Sequence, residues 1–121
     1  IGYWNIININ NMINLFAGKY NFNDDISDWN TSNVINMGCM FAYCYHFNQS
    51  LNNWNVSNVI NMEYMFYNAI NFNQNLNNWN LFNIKYTYHI FDNSKKFNKL
   101  NCKDWDLSNI EYKSNMFDNI I

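Results

Sequence analysis

Large apolar residues recur along the chain at one interval, which tryptophan marks most clearly. Successive tryptophans lie 25, 25, 25 and 26 residues apart. They start four repeated units and a truncated fifth one: residues 4–28, 29–53, 54–78, 79–104 and 105–121. Positions within a unit are given below as offsets, counted from its tryptophan. A period of this length over the whole chain is typical of repeat proteins, so the sequence predicts one repeat array over residues 1–121.

The apolar offsets within one unit are 0, 2, 5, 8, 11, 12, 18 and 22, which fit neither a helical period of 3.6 nor a strand period of 2. Each apolar position recurs instead in the next unit. Two positions are phenylalanine throughout: Phe16, Phe41, Phe66, Phe91 and Phe117 at offset 12, and Phe22, Phe47, Phe72 and Phe97 at offset 18. Such a unit buries its apolar side chains against neighbouring copies, which predicts a solenoid.

The path of one coil is predicted from the same offsets. Trp-x-Val alternates inward and outward, which favours a short β-strand that pairs in parallel with its copies. Met-x-x-Met-Phe has spacings of three and four, which favour a short α- or 3₁₀-helical turn on the opposite side. Because the chain has no Pro and only three Gly, we expect Asn at the corners, where its side chain tolerates left-handed backbone.

One asparagine column, at offset 4, has no exception: Asn8, Asn33, Asn58, Asn83 and Asn109. We interpret it as an inward-turned ladder whose amides satisfy backbone groups unit by unit. A row of ligand-binding amides is the alternative. A second column, Asn23, Asn48, Asn73 and Asn98, is expected to form corners.

The unit resembles the repeat of the BspA-like leucine-rich-repeat surface proteins, which occur in mycoplasma lipoproteins, other bacterial surface proteins and large DNA viruses. The resemblance rests on WNVSNVINMEYMF and FNQNL in residues 54–66 and 72–76, and on WNTSNVINMGCMF and FNQSL in residues 29–41 and 47–51. It implies a right-handed leucine-rich-repeat-like solenoid that acts in adhesion or protein interaction. It also implies a cell-surface or secreted location, with an intracellular role as the alternative for a viral protein.

Charge and hydropathy exclude some functions. Seven lysines, no arginine and nine acidic residues give a net charge of −2, so no cationic patch is expected for nucleic acid. The chain has no run of about 18 apolar residues, so no membrane insertion of this segment is expected.

Asparagine makes up about a quarter of the chain. Because Asn, Ile, Lys, Tyr and Phe have codons of A and T alone, an AT-rich genome is expected.

Few residues suggest catalysis. His46 and His89 occupy different offsets, 17 and 10, and repeat stacking brings together only equivalent columns, so neither is expected to meet a catalytic partner. The sequence therefore predicts a protein that is not an enzyme and needs no cofactor.

Asp24, Asp25 and Asp28 cluster in the first unit. Calcium is bound by six to eight oxygens, several of them carboxylates, so a weak calcium site and a solvated corner are both open. The cysteines show no disulfide or zinc spacing. Cys44 and Cys102 are expected in the core, whereas Cys39 is expected to be exposed and reactive.

The outward positions of the predicted strands form the predicted partner-binding face: Asn30, Ser32, Asn55, Ser57, Asn80, Phe82, Asp106 and Ser108. Phe82 interrupts this polar strip and is the predicted contact hot spot. Tyrosines at variable offsets are further candidates for exposed contacts: Tyr43, Tyr45, Tyr64, Tyr67, Tyr86, Tyr88 and Tyr112.

These observations predict a non-catalytic module for adhesion or protein interaction, which binds a protein partner through area and avidity. A structural spacer or stalk is the alternative, as is an intracellular scaffold if the protein is viral. We expect the chain to be a fragment of a longer protein, and expect it to associate end to end because neither end has a polar capping unit.

Overall fold

Regular secondary structure is nearly absent from the part of the protein that the structure describes. The computed structural model describes residues 4–110 and 115–117. Within these residues there is one 3₁₀-helix, Lys99–Cys102, and no α-helix or β-strand. Three isolated parallel bridges join residues of successive units: Asn11 to Asn36, Asn36 to Asn61, and Asn61 to Tyr86. The prediction of a leucine-rich-repeat-like, right-handed solenoid with a parallel strand and a helical turn in every unit is therefore wrong.

The predicted strand is replaced by a turn. The residue after the tryptophan is Asn or Asp, and its side-chain oxygen accepts a hydrogen bond from the backbone N–H two residues later; in the third unit, Asn55 Oδ1 accepts from Ser57 N at 3.0 Å. The Trp54 N–H donates to the carbonyl of Leu51, three residues earlier. Side chains that hydrogen-bond to the local backbone compete with the pairing of β-strands. Here the side-chain hydrogen bonds form, and the strand does not.

The predicted helical turn is also absent, because its N–H groups have two kinds of acceptor. Met37, Cys39 and Phe41 donate to carbonyls of the next unit at 2.9 Å, whereas Met40 and Ala42 donate three residues back along the chain. An α-helix would direct every N–H to the carbonyl four residues earlier, and a 3₁₀-helix would direct every N–H to the carbonyl three residues earlier. The alternation gives consecutive tight turns that are joined laterally to the next unit.

Two left-handed residues in each of the first four units produce this alternation. Positive φ angles occur at offsets 10 and 14: Asn14, Gly18, Cys39, Tyr43, Tyr64, Asn68, His89, Asn93 and, in the fifth unit, Asn115 at offset 10. Asn was expected at such positions, but Cys, Tyr and His occupy four of them. Outside Gly and Asn this conformation costs about 1–2 kcal/mol, which the bonds to the next unit must offset.

We expect Cys39→Asn to raise the free energy of unfolding by roughly 0.5–1 kcal/mol, because Asn adopts the φ of +55° at this position more readily. Cys39→Val should lower it, because a β-branched side chain fits a positive φ poorly. Urea unfolding followed by tryptophan fluorescence measures both. Ser50→Asn, at an exposed position outside the left-handed set, is the control and should change stability little. The same sign for both Cys39 variants would contradict the backbone explanation.

Aromatic columns form the core between units. Phe41, Phe66 and Phe91 stack at ring-centroid distances of 5.5 Å, and Phe66 also lies 4.2 Å from Phe72 of its own unit. Tryptophans stack similarly, with their indole N–H groups bonded to carbonyls; the Trp54 Nε1 donates to Ile26 O at 3.0 Å. The prediction that the Trp and Phe columns are core is confirmed for the interior units, where these rings are buried.

The asparagine columns hold successive units together from the surface. In the offset-4 column, Asn33, Asn58 and Asn83 are exposed, and each Nδ2 donates to a carbonyl of the preceding unit at 2.6–2.8 Å. The amides thus satisfy backbone groups as predicted, but they do not turn inward. In the second column the Asn48 N–H donates to Asn23 Oδ1, and the Asn73 N–H donates to Asn48 Oδ1, both at 2.9 Å.

Candidate interaction surfaces

The predicted partner-binding face is exposed, but most of its polar groups already have local partners. Asn30 Oδ1 accepts from the Ser32 N–H at 3.0 Å and from the Ser32 hydroxyl at 2.6 Å. The same pair of bonds occurs in the third unit at 3.0 and 2.7 Å. In the fourth unit Asn80 Oδ1 accepts from the Phe82 N–H at 2.9 Å. These side chains therefore stabilise turns within their own units.

The last pair on this face, Asp106 and Ser108, forms the same turn with a carboxylate. Asp106 Oδ1 accepts from the Ser108 N–H at 3.0 Å. Hydrogen bonds from the Ser108 side chain and backbone lower the pKa of Asp106. The carboxylate is exposed and ionised at neutral pH, so it contributes negative charge to this end of the face.

Phe82 is the one large apolar residue on this face. Its side chain is 71% exposed, the highest value among the exposed large hydrophobic residues of the described chain. The equivalent positions in the second, third and fifth units are serines. The structure thus places Phe82 where a partner can reach it, and its role as a hot spot stays a prediction.

A shallow groove of about 430 Å³ lies directly after this face in the unit. Its walls are Asn33, Asn58 and Asn83, together with Ile35 and Ile60. The three amide nitrogens are bonded to carbonyls, while the three amide oxygens have no donor among the described residues. The alternative of a ligand-binding amide row thus has a groove with free acceptors.

A different surface carries connected aromatic rings, and we name it the tyrosine surface. Neighbouring rings along it contact each other at centroid distances of 4.9–6.5 Å. In contact order, its members are Tyr20, Tyr45, Tyr43, Tyr67, Tyr64 and Tyr88. It extends over four units. Sequence reasoning identified all of these except Tyr20; Tyr86 is half-buried beside a parallel bridge, and Tyr112 lies outside the described residues.

One hydroxyl on the tyrosine surface, that of Tyr64, has a perturbed pKa. Partial burial, and then the neighbouring Tyr88 and Glu63, raise the pKa of Tyr64 above its ordinary value. Tyr20, Tyr43 and Tyr45 are exposed. The surface therefore offers hydroxyl groups that can form hydrogen bonds, carried on apolar rings.

His89 borders the tyrosine surface and has a partner that sequence reasoning missed. Its Nδ1 is hydrogen-bonded to Asp92 Oδ2, and its ring lies 4.9 Å from the Tyr64 ring and 3.9 Å from the Tyr88 ring. Repeat stacking was expected to bring no carboxylate to either histidine, and this expectation is wrong for His89. The signal was an acidic residue three positions later, within the consecutive turns. His46 Nδ1 contacts the carbonyl oxygen of Tyr20 at 2.8 Å.

The cysteines differ from expectation at one position. Cys44 and Cys102 are buried as predicted, and burial raises the pKa of their thiols to about 12 and about 11. Cys39 is half-buried rather than exposed, and burial followed by the charge of Glu63 raises its pKa as well. A raised pKa lowers the thiolate population, so the expected reactivity of Cys39 is not supported.

The acidic cluster of the first unit is exposed, and its members do not converge. Asp25 Oδ1 accepts from the Ser27 N–H at 2.9 Å, and hydrogen bonds from Ser27 lower the pKa of Asp25. Among residues 4–110 and 115–117, no three His, Cys, Asp or Glu side chains come close enough to share a metal ion. The corner interpretation of Asp24, Asp25 and Asp28 thus agrees with the geometry better than a calcium site.

In the described part of the chain, no helix is long and apolar enough to cross a bilayer.

The recurring turns, the stacked aromatic columns and the bonds from each unit to the next define a repeat protein. Residues 1–101 and 83–120 match the family described as "Mycoplasma protein of unknown function, DUF285". The chain belongs to this mycoplasma-type repeat family. No curated protein and no solved structure matches it.

Proposed function

We propose that the chain is a non-catalytic protein-interaction module that acts in adhesion at the cell surface, with the tyrosine surface as its main contact area. One observation carries the proposal: six tyrosine rings form an unbroken series of contacts across four units on the outside of the protein. The resemblance of the unit to BspA-like surface repeats supports the same assignment of function and location.

Tyrosine suits such a surface for physical reasons. Its ring buries a large apolar area on binding, while its hydroxyl can hydrogen-bond a partner, and only two side-chain torsions must be fixed. Tyrosine is accordingly enriched among the residues that dominate binding energy in protein interfaces. The ring-to-ring contacts already restrict these side chains, which reduces the entropy lost when a partner binds.

The predicted partner-binding face is the second candidate contact area within the same function. Phe82 supplies an exposed ring there, and the groove beside it supplies free amide oxygens. A partner for this face would present an apolar group together with hydrogen-bond donors. The two surfaces can be tested separately because they share no residue.

We expect the combined variant Tyr43→Asn, Tyr45→Ser and Tyr67→Ser to lose at least about tenfold in binding to cultured epithelial cells, since each lost anchor is worth about 1 kcal/mol or more. Fluorescently labelled protein is titrated over cell monolayers, and bound signal is measured by flow cytometry. All three positions are exposed or half-exposed, and Asn at position 43 relieves a positive φ, so the fold should be retained.

Phe82→Ser is the matched control, because it removes one exposed ring and restores the serine found in other units. Its retention of binding would assign contact to the tyrosine surface, and its loss would assign contact to the predicted face. Protease treatment of the cells should abolish binding if the partner is a protein. Absence of binding by the unaltered protein would contradict adhesion and favour the spacer function.

A further inference from the structure

The second and third units, residues 29–78, carry a single charged side chain. It is Glu63; every other residue of this stretch is apolar, an uncharged polar residue or His46. Charged residues make up about 25% of an average protein, so this part of the chain is unusually poor in charge. The sign of the charge that these interior units present is therefore set by Glu63.

The carboxylate of Glu63 has no cation beside it in the described part of the chain. Neither of the ion pairs found among the described residues includes it. Its backbone is held on both sides: the N–H donates to Asn61 Oδ1 at 2.8 Å, and the carbonyl accepts from the Cys39 N–H at 2.9 Å. Glu63 thus stands in a fixed place, half-buried, with an unpaired negative charge.

Glu63 borders the tyrosine surface. It precedes Tyr64 in the chain, and after burial and Tyr88 the charges of Glu63 and Asp92 raise the pKa of Tyr64. The two carboxylates therefore lie close enough to this part of the surface to be felt there. Both make the electrostatic potential over the neighbouring rings more negative.

The rings beside Glu63 meet edge to face. Tyr64 meets Tyr67 at an interplanar angle of 72° and Tyr88 at 76°, and Tyr67 meets Tyr43 at 74°. In an edge-to-face pair, the ring that supplies its edge keeps both of its faces clear of its neighbour, whereas stacked rings cover one face each. Cations bind over the faces of aromatic rings, because the face carries the negative part of the ring quadrupole.

A cation is attracted to this place both by the ring faces and by the unpaired carboxylate. Arginine suits it better than lysine, because a planar guanidinium stacks on an aromatic ring and can also pair with a carboxylate through two N–H groups. The chain itself contains no Arg. An arginine at this site therefore comes from a different protein and not from a second copy.

The spacing of the rings agrees with an extended partner segment. Neighbouring ring centroids from Tyr43 to Tyr88 are 5.4–6.5 Å apart. Side chains on one side of an extended chain recur at every second residue, about 6–7 Å apart. Arginines at alternate positions of such a segment can therefore reach successive rings.

We propose that the tyrosine surface around Glu63 binds an arginine-bearing extended segment of the partner protein, with guanidinium groups over the rings and one of them paired with the Glu63 carboxylate. This inference rests on the proposed function and names the chemistry of its partner.

A fluorescently labelled peptide of alternating Arg and Gly is the probe. Its fluorescence anisotropy is measured in a titration with the whole chain. The matched control peptide has citrulline in place of each Arg, which keeps the shape of the side chain and removes its charge. We expect the citrulline peptide to bind at least about tenfold more weakly. Equal binding of the two peptides by the unaltered protein overturns the inference.

Variants of the chain separate the carboxylate from the rings. Glu63→Gln should weaken binding of the Arg peptide about fivefold, whereas Asp106→Asn, which removes an exposed carboxylate outside the tyrosine surface, should change it by less than about twofold. Tyr67→Leu keeps an apolar side chain but removes the ring, and should weaken binding about threefold; Tyr67→Phe keeps the ring and should bind normally. Equal losses for Glu63→Gln and Asp106→Asn would indicate attraction by net charge alone and would exclude the site.

The cell-binding experiment separates this inference from the proposed function. Glu63→Gln should reduce binding to cells, as the combined tyrosine variant does. If the tyrosine variant loses cell binding while Glu63→Gln retains it, the adhesion function stands and the arginine-bearing partner is excluded. If the unaltered protein binds the Arg peptide but no cells, the arginine site stands and adhesion is excluded.

Discussion

Phe66→Ala is expected to lower the free energy of unfolding by about 3–5 kcal/mol, the range observed when a fully buried Phe is truncated. Phe66 is 0% exposed and contacts four rings, with centroid distances from 4.2 to 6.4 Å. Two of these rings belong to Phe41 and Phe91, in the units on either side. Truncation therefore opens a cavity that weakens two junctions at once.

Urea unfolding followed by tryptophan fluorescence measures the effect, because each unit carries a tryptophan close to its Phe column. Phe82→Ala is the matched control and should change stability by about 0.5 kcal/mol or less, since its ring is exposed. Phe117→Ala should lie between the two, because its ring is partly buried and stacks on the Phe column from one side. Equal losses for Phe66→Ala and Phe82→Ala would contradict the assignment of the Phe columns to the core.

The buried aromatic columns were predictable from the sequence, whereas the path of the backbone between them was not. Recurrence of Phe at offset 12 identifies a buried stack without any knowledge of the path between columns. The backbone path depends instead on whether an N–H such as that of Met37 donates within its own unit or to the next one. Spacings of three and four fit both outcomes, because the consecutive turns and a helix place the same residues on the inside.

The residues that adopt left-handed backbone were also not predictable from the sequence. Asparagine is so frequent that its presence marks no particular corner, and the left-handed offsets 10 and 14 are also held by residues such as Tyr43, Tyr64 and His89. A second expectation failed because Asn55 has two possible roles. It was assigned to the outward side of a strand, whereas its side chain closes a turn.

The residues of the candidate surfaces were likewise predictable only in part. Variable offsets identified tyrosines that the structure finds in contact with one another on the outside, because residues outside the repeated columns are not needed for stacking. Tyr20 was missed although it shares offset 16 with Tyr45, and repeat stacking brings the two rings together at 4.9 Å. The pair of His89 and Asp92 was missed because sequence reasoning considered contacts between equivalent positions of successive units, and not contacts between residues three apart in one unit.

The second large effect concerns Cys44 at alkaline pH. Its thiol is fully buried, with Sγ 3.0 Å from the carbonyl oxygen of Phe16, and burial raises its pKa from about 9 to about 12. The folded state therefore holds this proton more tightly than the unfolded state. The resulting stabilisation is complete below pH 9 and is lost as the pH rises towards 12. By pH 11 the loss should reach roughly 2–3 kcal/mol, at about 1.4 kcal/mol per pH unit.

Cys44→Ala should remove this part of the pH dependence while keeping the fold, because Ala69 occupies the equivalent buried position in the next unit. Urea unfolding of both proteins at pH 8 and pH 11 measures it. Tyrosine ionisation also destabilises at high pH, but it affects both proteins and cancels in their difference. We therefore expect the unaltered protein to lose more stability than Cys44→Ala between the two pH values.

Adding Cys102→Leu should reduce the loss further, because burial raises the pKa of that thiol to about 11 and leucine stands at the same place in other units. Parallel losses in all three proteins would show that the thiols ionise in the folded state as readily as in the unfolded one.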